Sequence, residues 1–306
     1  MEAGDSEHDR PLLALAIRLL GIAGFAVMAA LIKLAAERGM HIAEIIFWRQ
    51  LVTVPIIATW AMMAGGIHLL KSDRPKAHAV RGIYGVVGMI CNFGAVILLP
   101  LAEATTINFS APLFAVILSI VLLKEPVGKW RWSAVIAGFA GILIIAQPGD
   151  GHIPLEGALV ALGGAFMIAL ISIQIRDLSR TEQPMVIVFW FAVISVVLAA
   201  PLQPFVMQAH TASDWLLLLG IGISGTWGQL LITMALRFGK VSSVIVMDYS
   251  SIVWATLLGF LIFAAVPPAT TFLGAPLIVA SGLIIAWRER VVGKLRFADM
   301  RGAGGT

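Results

Sequence analysis

Ten apolar stretches, each close to the length that crosses a lipid bilayer, follow one another along the chain with only short polar breaks between them. They fall at residues 12–36, 42–64, 79–99, 101–123, 132–147, 156–178, 185–207, 215–236, 241–263 and 269–287. A spanning helix needs about 20 apolar residues, because the hydrocarbon core is about 30 Å thick and a helix rises about 1.5 Å per residue. Inside that core every backbone N–H and C=O must find its partner within the protein, which confines such stretches to helices. No stretch is left over for a soluble domain. Of the 306 residues, 59% are hydrophobic and 12% charged, whereas about 25% of a soluble domain is charged. The expected fold class is an all-α membrane protein with ten transmembrane helices.

Lysine and arginine collect on the cytoplasmic side of a bilayer. Numbered from the amino end, one side receives Arg10, Arg18, Lys71, Arg74, Lys76, Arg81, Lys124, Lys129, Arg131, Arg176, Arg180, Arg237, Lys240 and the tail from Arg288 to Arg301, which is 18 of the 21 basic residues. The other side receives Lys33 and Arg38, while Arg49 lies inside a helix. Both termini are therefore expected in the cytoplasm. The net charge of +4 is spread in short patches between apolar runs, so the continuous basic face that binds nucleic acid is missing. The opening MEAGDSEHDR is acidic and has no basic leader, unlike a cleaved signal peptide. Cys91 is the single cysteine and sits in an apolar run, which excludes an intrachain disulfide and a thiolate metal cluster.

The chain repeats itself. At an offset of 140 residues, Gly24 falls on Gly164, and Gly82, Gly85 and Gly88 fall on Gly222, Gly225 and Gly228. Phe109 falls on Tyr249, while Phe47 and Trp48 meet Phe189 and Trp190 at an offset of 142. The expected organisation is a polar tail at 1–11, one five-helix repeat at 12–147, a connecting loop at 148–155, a second five-helix repeat at 156–287 and a basic tail at 288–306. Five is odd, so the second repeat enters the membrane from the opposite side and the two are inverted. Inverted repeats place a substrate near the midplane at their interface, and rocking one against the other gives alternating access. The glycines allow the close helix contact that association in lipid requires.

Charges within a bilayer are costly, by ~2.5–3.5 kcal/mol on insertion scales, so each one needs a reason. Asp248 lies seven residues into the ninth stretch, about 10 Å from its cytoplasmic end. It either binds a substrate amine or a proton, or is a structural acid bonded to neighbouring helices. Arg49 lies equally deep from the outer face; it either contacts a substrate anion or pairs with Glu44. Asn108 holds in the fourth stretch the position of Asp248 in the ninth. Pro112, four residues on, cannot donate to the Asn108 carbonyl and clashes with it, so a kink is expected there. The freed carbonyl then faces a wet cavity or is met by Thr105, Thr106 or Ser110. Asn92 and Gln229, on or near the glycine faces, are weaker pocket candidates, with interhelical bonding as the alternative. Tyr84, Phe109, Trp227, Tyr249 and Trp254 are deep enough to wall a pocket, though lipid-facing packing serves each equally well. Trp130, Trp132, Trp215 and Trp287 at helix ends read as interfacial anchors.

Enzyme chemistry finds no foothold. The six histidines fall in the tail, in loops or at helix edges, so no haem or zinc ligand set appears. Neither G-x-S-x-G nor the phosphate-binding G-x-x-x-x-G-K-[ST] occurs. A second buried aspartate, which an intramembrane aspartyl protease needs, is absent. No metal and no cofactor is expected; the partners are the lipid bilayer and a small-molecule substrate, with a monomer as the simplest assembly.

The run from Glu44 to Arg49, EIIFWR, opens the second stretch; Ala111-Pro112-Leu113-Phe114 lies in the fourth, and Lys124-Glu125-Pro126 closes it. Together with the two inverted five-helix repeats, these resemble the EamA-type drug/metabolite transporter superfamily over nearly the whole chain. The second half departs from the pattern, with Ala265 where Glu125 would repeat and Ile252 where Pro112 would. The resemblance implies a cofactor-free secondary carrier in the bacterial inner membrane, often an exporter of amino acids or related metabolites. One acid and one base in an apolar wall favour zwitterions, so amino acids are the first substrate expected. A multidrug or cationic-metabolite carrier, with Asp248 as counter-ion, is the runner-up. A channel or receptor on the same helices, without alternating access, is the competing class.

Overall fold

The structure, a computed structural model, describes residues 11–123, 128–147, 153–238 and 247–303. Among them it is helical throughout: α1 (Pro11–Glu37), α2 (Ile42–Ala64), α3 (Pro75–Leu98), α4 (Leu101–Asn108), α5 (Ala111–Leu123), α6 (Lys129–Ala146), α7 (Leu155–Leu178), α8 (Pro184–Ala199), α9 (Gln203–Val206), α10 (Ala212–Phe238), α11 (Ser250–Phe263) and α12 (Ala269–Ala303). Single turns of 3₁₀ helix occupy Ile67–Leu70, Ala200–Leu202 and Met247–Tyr249. Eight segments are long and apolar enough to cross a membrane, and two shorter apolar helices, Trp132–Ala146 and Met247–Phe263, accompany them. The protein is an integral, multi-pass membrane protein. The expected Lys124-Glu125-Pro126 turn and the start of the ninth stretch, 241–246, lie outside the described residues.

Helical periodicity decides which faces pack. On α3, Val80, Ile83, Tyr84, Val87 and Ile90 form an exposed apolar stripe, while Arg81, Gly85, Gly88 and Met89 are buried on the other side. The outward stripe faces lipid, where apolar exposure costs nothing. The inward face packs on α7 and α8, and α10 packs in the same manner on α1 and α2.

That correspondence is the repeat made visible. The Gly222–Gly225–Gly228 face of α10 lies so close to its neighbours that a Cβ on Gly222 would stand 2.5 Å from Val52 of α2, and one on Gly228 2.9 Å from the Gly21 carbonyl of α1. The Gly82–Gly85–Gly88 face of α3 meets Ile194 of α8 and Ile171 of α7 in the same way. Each half thus builds its contacts with elements of the other, and α6 packs on its own counterpart α12, where Gly141 and Gly274 approach backbone to backbone.

The fourth stretch is broken rather than kinked. α4 stops at Asn108, Phe109 and Ser110 form a turn, and α5 starts at Ala111. Pro112 therefore sits in the first turn of a new helix, where its missing N–H is no loss. The 3₁₀ turn Met247–Tyr249 stands at the equivalent place before α11, without a proline. The seventh stretch is broken too, ending in the 3₁₀ turn and α9 around Pro201 and Pro204. At the chain's end α12 continues to Ala303, past the limit of the apolar run.

Candidate substrate site

The breaks in the helices open onto space. A cavity of about 640 Å³ is enclosed by α1, α3, α4 and the start of α5, with Ser251 and Ala255 of α11 on one wall. A second of about 290 Å³ lies between α2, α3, α7, α8 and α10 and reaches Ser179 and Pro184 in the turn between α7 and α8. The larger chamber reaches Leu101, at the start of α4 and the opposite end of the bundle. Arg49 and Gln229 line both chambers and form their common wall.

Arg49 is held without an acid. Its Nε donates to the Met28 sulfur at 3.2 Å and its Nη1 to the Met89 sulfur at 3.2 Å, and its guanidinium lies 5.8 Å from the Phe93 ring centre. Thioethers are weak acceptors, so much of the cation's bonding capacity is unspent. Among the described residues Arg49 forms no ion pair. Glu44, the partner expected from sequence, turns instead to His210 and is fully buried there. Five residues is too wide a spacing for two side chains on one helix face.

Asn92 and Asn108 converge on Gly164. Asn92 donates its Nδ2 to the Gly88 carbonyl at 2.7 Å, which leaves its Oδ1 as an acceptor. A Cβ on Gly164 would stand 3.2 Å from that oxygen and 3.3 Å from the Oδ1 of Asn108. The Asn108 Oδ1 is buried with no hydrogen-bond partner among the described residues, and both side chains line the larger chamber. Asn92 lies between Met89 and Phe93, the two residues that seat Arg49, so the guanidinium and the amide share one face of α3 about a turn apart.

Phe109 lines the larger chamber and stacks on Tyr249 with ring centres 4.8 Å apart. The two residues related by the repeat thus touch, which puts them on its symmetry axis. Asp248, next in the chain, is engaged by Arg18: Nε donates to Oδ1 at 2.7 Å and Nη2 to Oδ2 at 2.6 Å. Neither Asp248 nor Tyr249 lines the chamber.

Three aromatic candidates fall elsewhere. Tyr84 belongs to the exposed stripe of α3, and Trp227, 59% exposed, to the matching stripe of Leu216, Leu219 and Ile223 on α10. One residue is a rotation of about 100° on a helix, so Trp227 faces away from the chambers while Gly228 faces inward. Trp254 is half-buried and lines neither chamber. Trp130, Trp132 and Trp215 are exposed at helix starts, as interfacial anchors are, whereas Trp287 is exposed at the end of the apolar run but inside α12, which continues past it.

Sequence reasoning missed two arginines. Arg18 and Arg81 read as flanking positive charges, yet their exposures are 7% and 8%. Arg81 lies under Phe191, 4.4 Å from the ring centre, and lines the smaller chamber. A signal was present: residues 81, 85, 88 and 92 share one helix face, so Arg81 lies in line with the glycines. His78 and His210, placed at helix edges, are buried beside Glu182 and Glu44.

The comparisons with known proteins bear on this geometry. The sequence model described as the EamA-like transporter family matches residues 12–147 and again 155–287. The chain belongs to the EamA-like transporter family. The pseudopaline exporter CntI of Pseudomonas aeruginosa is 31% identical over 264 residues, covering 86% of this chain and 92% of that protein. The riboflavin transporter of Vibrio cholerae is 27% identical over 87% of this chain and 90% of its own. The S-adenosylmethionine uptake transporter of Rickettsia bellii is 26% identical over 82% and 86%. A crystal structure superposes with a TM-score of 0.57 at 21% identity, over 90% of this chain and 98% of that one, and shares the fold. These EamA-like relatives are small-molecule transporters, and the two matched segments correspond to the two halves that exchange contacts above.

Proposed function

We propose that this EamA-like protein crosses the bacterial inner membrane ten times, with both termini in the cytoplasm, and exports small carboxylate-bearing metabolites of the amino-acid class by alternating access. The observation that carries the reading is Arg49, a cation without an acid at the common wall of two chambers that reach toward opposite ends of the bundle. A guanidinium accepts a carboxylate in a two-pronged, charge-assisted contact. The Oδ1 of Asn92 is an acceptor suited to the ammonium of the same zwitterion, and the chamber of about 640 Å³ falls within the ~300–1,000 Å³ of small-molecule sites. Asp248 is not needed for the amine, because Arg18 already holds it. A cationic cargo is not favoured, since no carboxylate lines either chamber among the described residues.

The eight long spans together with the two shorter apolar helices support the reading of ten crossings. The cytoplasmic assignment is supported by the lysines and arginines gathered at one end of the bundle, Lys71, Arg74 and Arg180 among them. Export is supported by the Pseudomonas relative, which is named as an exporter.

The test is counterflow of a labelled neutral amino acid in proteoliposomes, comparing wild type, Arg49→Lys and Arg49→Gln. Saturable counterflow that falls at least tenfold in Arg49→Gln and partly recovers in Arg49→Lys is expected. Flux that does not saturate would indicate a pore, and undiminished flux in Arg49→Gln would remove Arg49 from the site.

A further inference from the structure

The smaller chamber holds a second cation whose partner is missing. Arg81 is 8% exposed, and its Nε and Nη1 are buried without a hydrogen-bond partner among the described residues. Arg18, 7% exposed, is held by Asp248; Arg38 is held by Asp214 and Arg74 by Asp177. Arg49 and Arg81 form no ion pair among the described residues, and they line the same chamber of about 290 Å³. Charges inside a bilayer are retained where they pair or where they meet a substrate. Phe191 supplies a ring face to Arg81, which eases a cation's burial but leaves its N–H donors unmet.

We infer that Arg81 is a second anion subsite and that the cargo carries two carboxylates, one for Arg49 and one for Arg81. This rests on the carboxylate reading above and narrows it to dicarboxylic amino acids and related polycarboxylates. The spacing fits. The Arg81 guanidinium lies against Gly85, one turn along α3. Arg49 bonds Met89, one turn further. Four residues separate those points by about 6 Å along the axis. An extended dicarboxylic amino acid places its carboxylates over a comparable distance. Gly85 makes the arrangement possible, since any side chain there would collide with the Arg81 guanidinium and the Phe191 ring. The remaining lining is neutral, with Gln50, Thr53, Ser179 and Thr226 offering amide and hydroxyl groups and no competing acid.

L-Glutamate and L-glutamine differ by one charge at nearly equal shape, and their binding to purified wild-type protein in lipid nanodiscs, by calorimetric titration, is the test. Glutamate is expected to bind at least tenfold more tightly. Arg81→Gln should bring the two within about twofold by weakening glutamate alone, and Arg81→Lys should keep part of the preference. Melting of each variant, followed through the thiol of Cys91, confirms that it is folded. If wild type binds both equally, or Arg81→Gln keeps the preference, the second subsite is wrong while the Arg49 reading stands. If wild type binds neither, both fall.

Discussion

The Arg18–Asp248 pair ties α1 to the turn before α11, across 230 residues, and its removal should weaken the fold in a way that depends on which partner is lost. Two charge-assisted bonds of 2.7 and 2.6 Å join the side chains, and Arg18 also reaches the Ile232 carbonyl at 3.3 Å. Breaking a fully buried pair costs ~3–5 kcal/mol because one charge is left unmatched. Here the Arg18 side chain is 8% exposed and that of Asp248 34%. Asp248→Asn leaves the deeper charge behind, at about 2–3 kcal/mol, whereas Arg18→Met leaves a carboxylate that rehydrates, at about 1–2 kcal/mol. The double variant removes both charges and should lie within about 1 kcal/mol of wild type, because apolar replacement of a buried pair is often neutral. The coupling is then about 2–5 kcal/mol, at or above the upper end of the range for residues in contact. Cys91, the single cysteine and half-buried in α3, reports unfolding when a thiol-reactive dye is followed during heating in detergent. Asp248→Asn should lower the midpoint by several degrees, with the double variant recovering most of it. Additive losses in the double variant would refute the pairing.

Three further predictions concern close approach. A Cβ at residue 274 would stand 2.5 Å from the Gly141 carbonyl, so Gly274→Ala must push α6 and α12 apart; a loss of about 1–3 kcal/mol is expected in circular-dichroism melts. A Cβ at residue 163 meets nothing nearer than the Cys91 sulfur at 3.6 Å, so Gly163→Ala should gain up to about 1 kcal/mol from helix propensity. One residue on, Gly164→Ala presses a methyl group toward the amides of Asn92 and Asn108, with neighbours at 3.2 and 3.3 Å. It should leave the melting midpoint unchanged and weaken amino-acid counterflow severalfold.

How much of this was legible depended on whether the signal was local. Pro112 announced an interruption near Asn108, as a kink where the structure has a full break, because the missing N–H and the ring act within one turn. The glycine triplets announced the tight faces of α3 and α10. The partnership of Arg18 with Asp248 was not legible, since no local pattern links residues in separate halves. Arg81 escaped because its closeness to a helix end made it resemble a flanking charge, although its register with Gly85 and Gly88 placed it inward. Tyr84 and Trp227 were judged by depth along the helix, whereas facing is set by rotation around it, and rotation put both toward lipid. His210 took Glu44 because the chain before α10 folds back over the start of α2, a tertiary event that neither segment encodes alone.

The repeat also explains why the two chambers are lined differently. At the offset of 140, Asn92 and Phe93 of the larger chamber correspond to Ile232 and Thr233 of the smaller, and at 142 Arg49 corresponds to Phe191. At these positions the chambers are counterparts in backbone, with Arg49, Asn92 and Phe93 answered by Phe191, Ile232 and Thr233, while Arg49 lines the smaller chamber as well and Arg81 adds a second cation there. In an inverted repeat, the alternate state arises when each half adopts the conformation of the other. Under the proposed mechanism the chamber of about 290 Å³ would then expand while that of about 640 Å³ contracts. Arg49, on the common wall, lines the open space before and after. A carboxylate held there need not cross from one charged site to another during the switch, which removes the largest electrostatic barrier that a charged cargo meets inside a membrane.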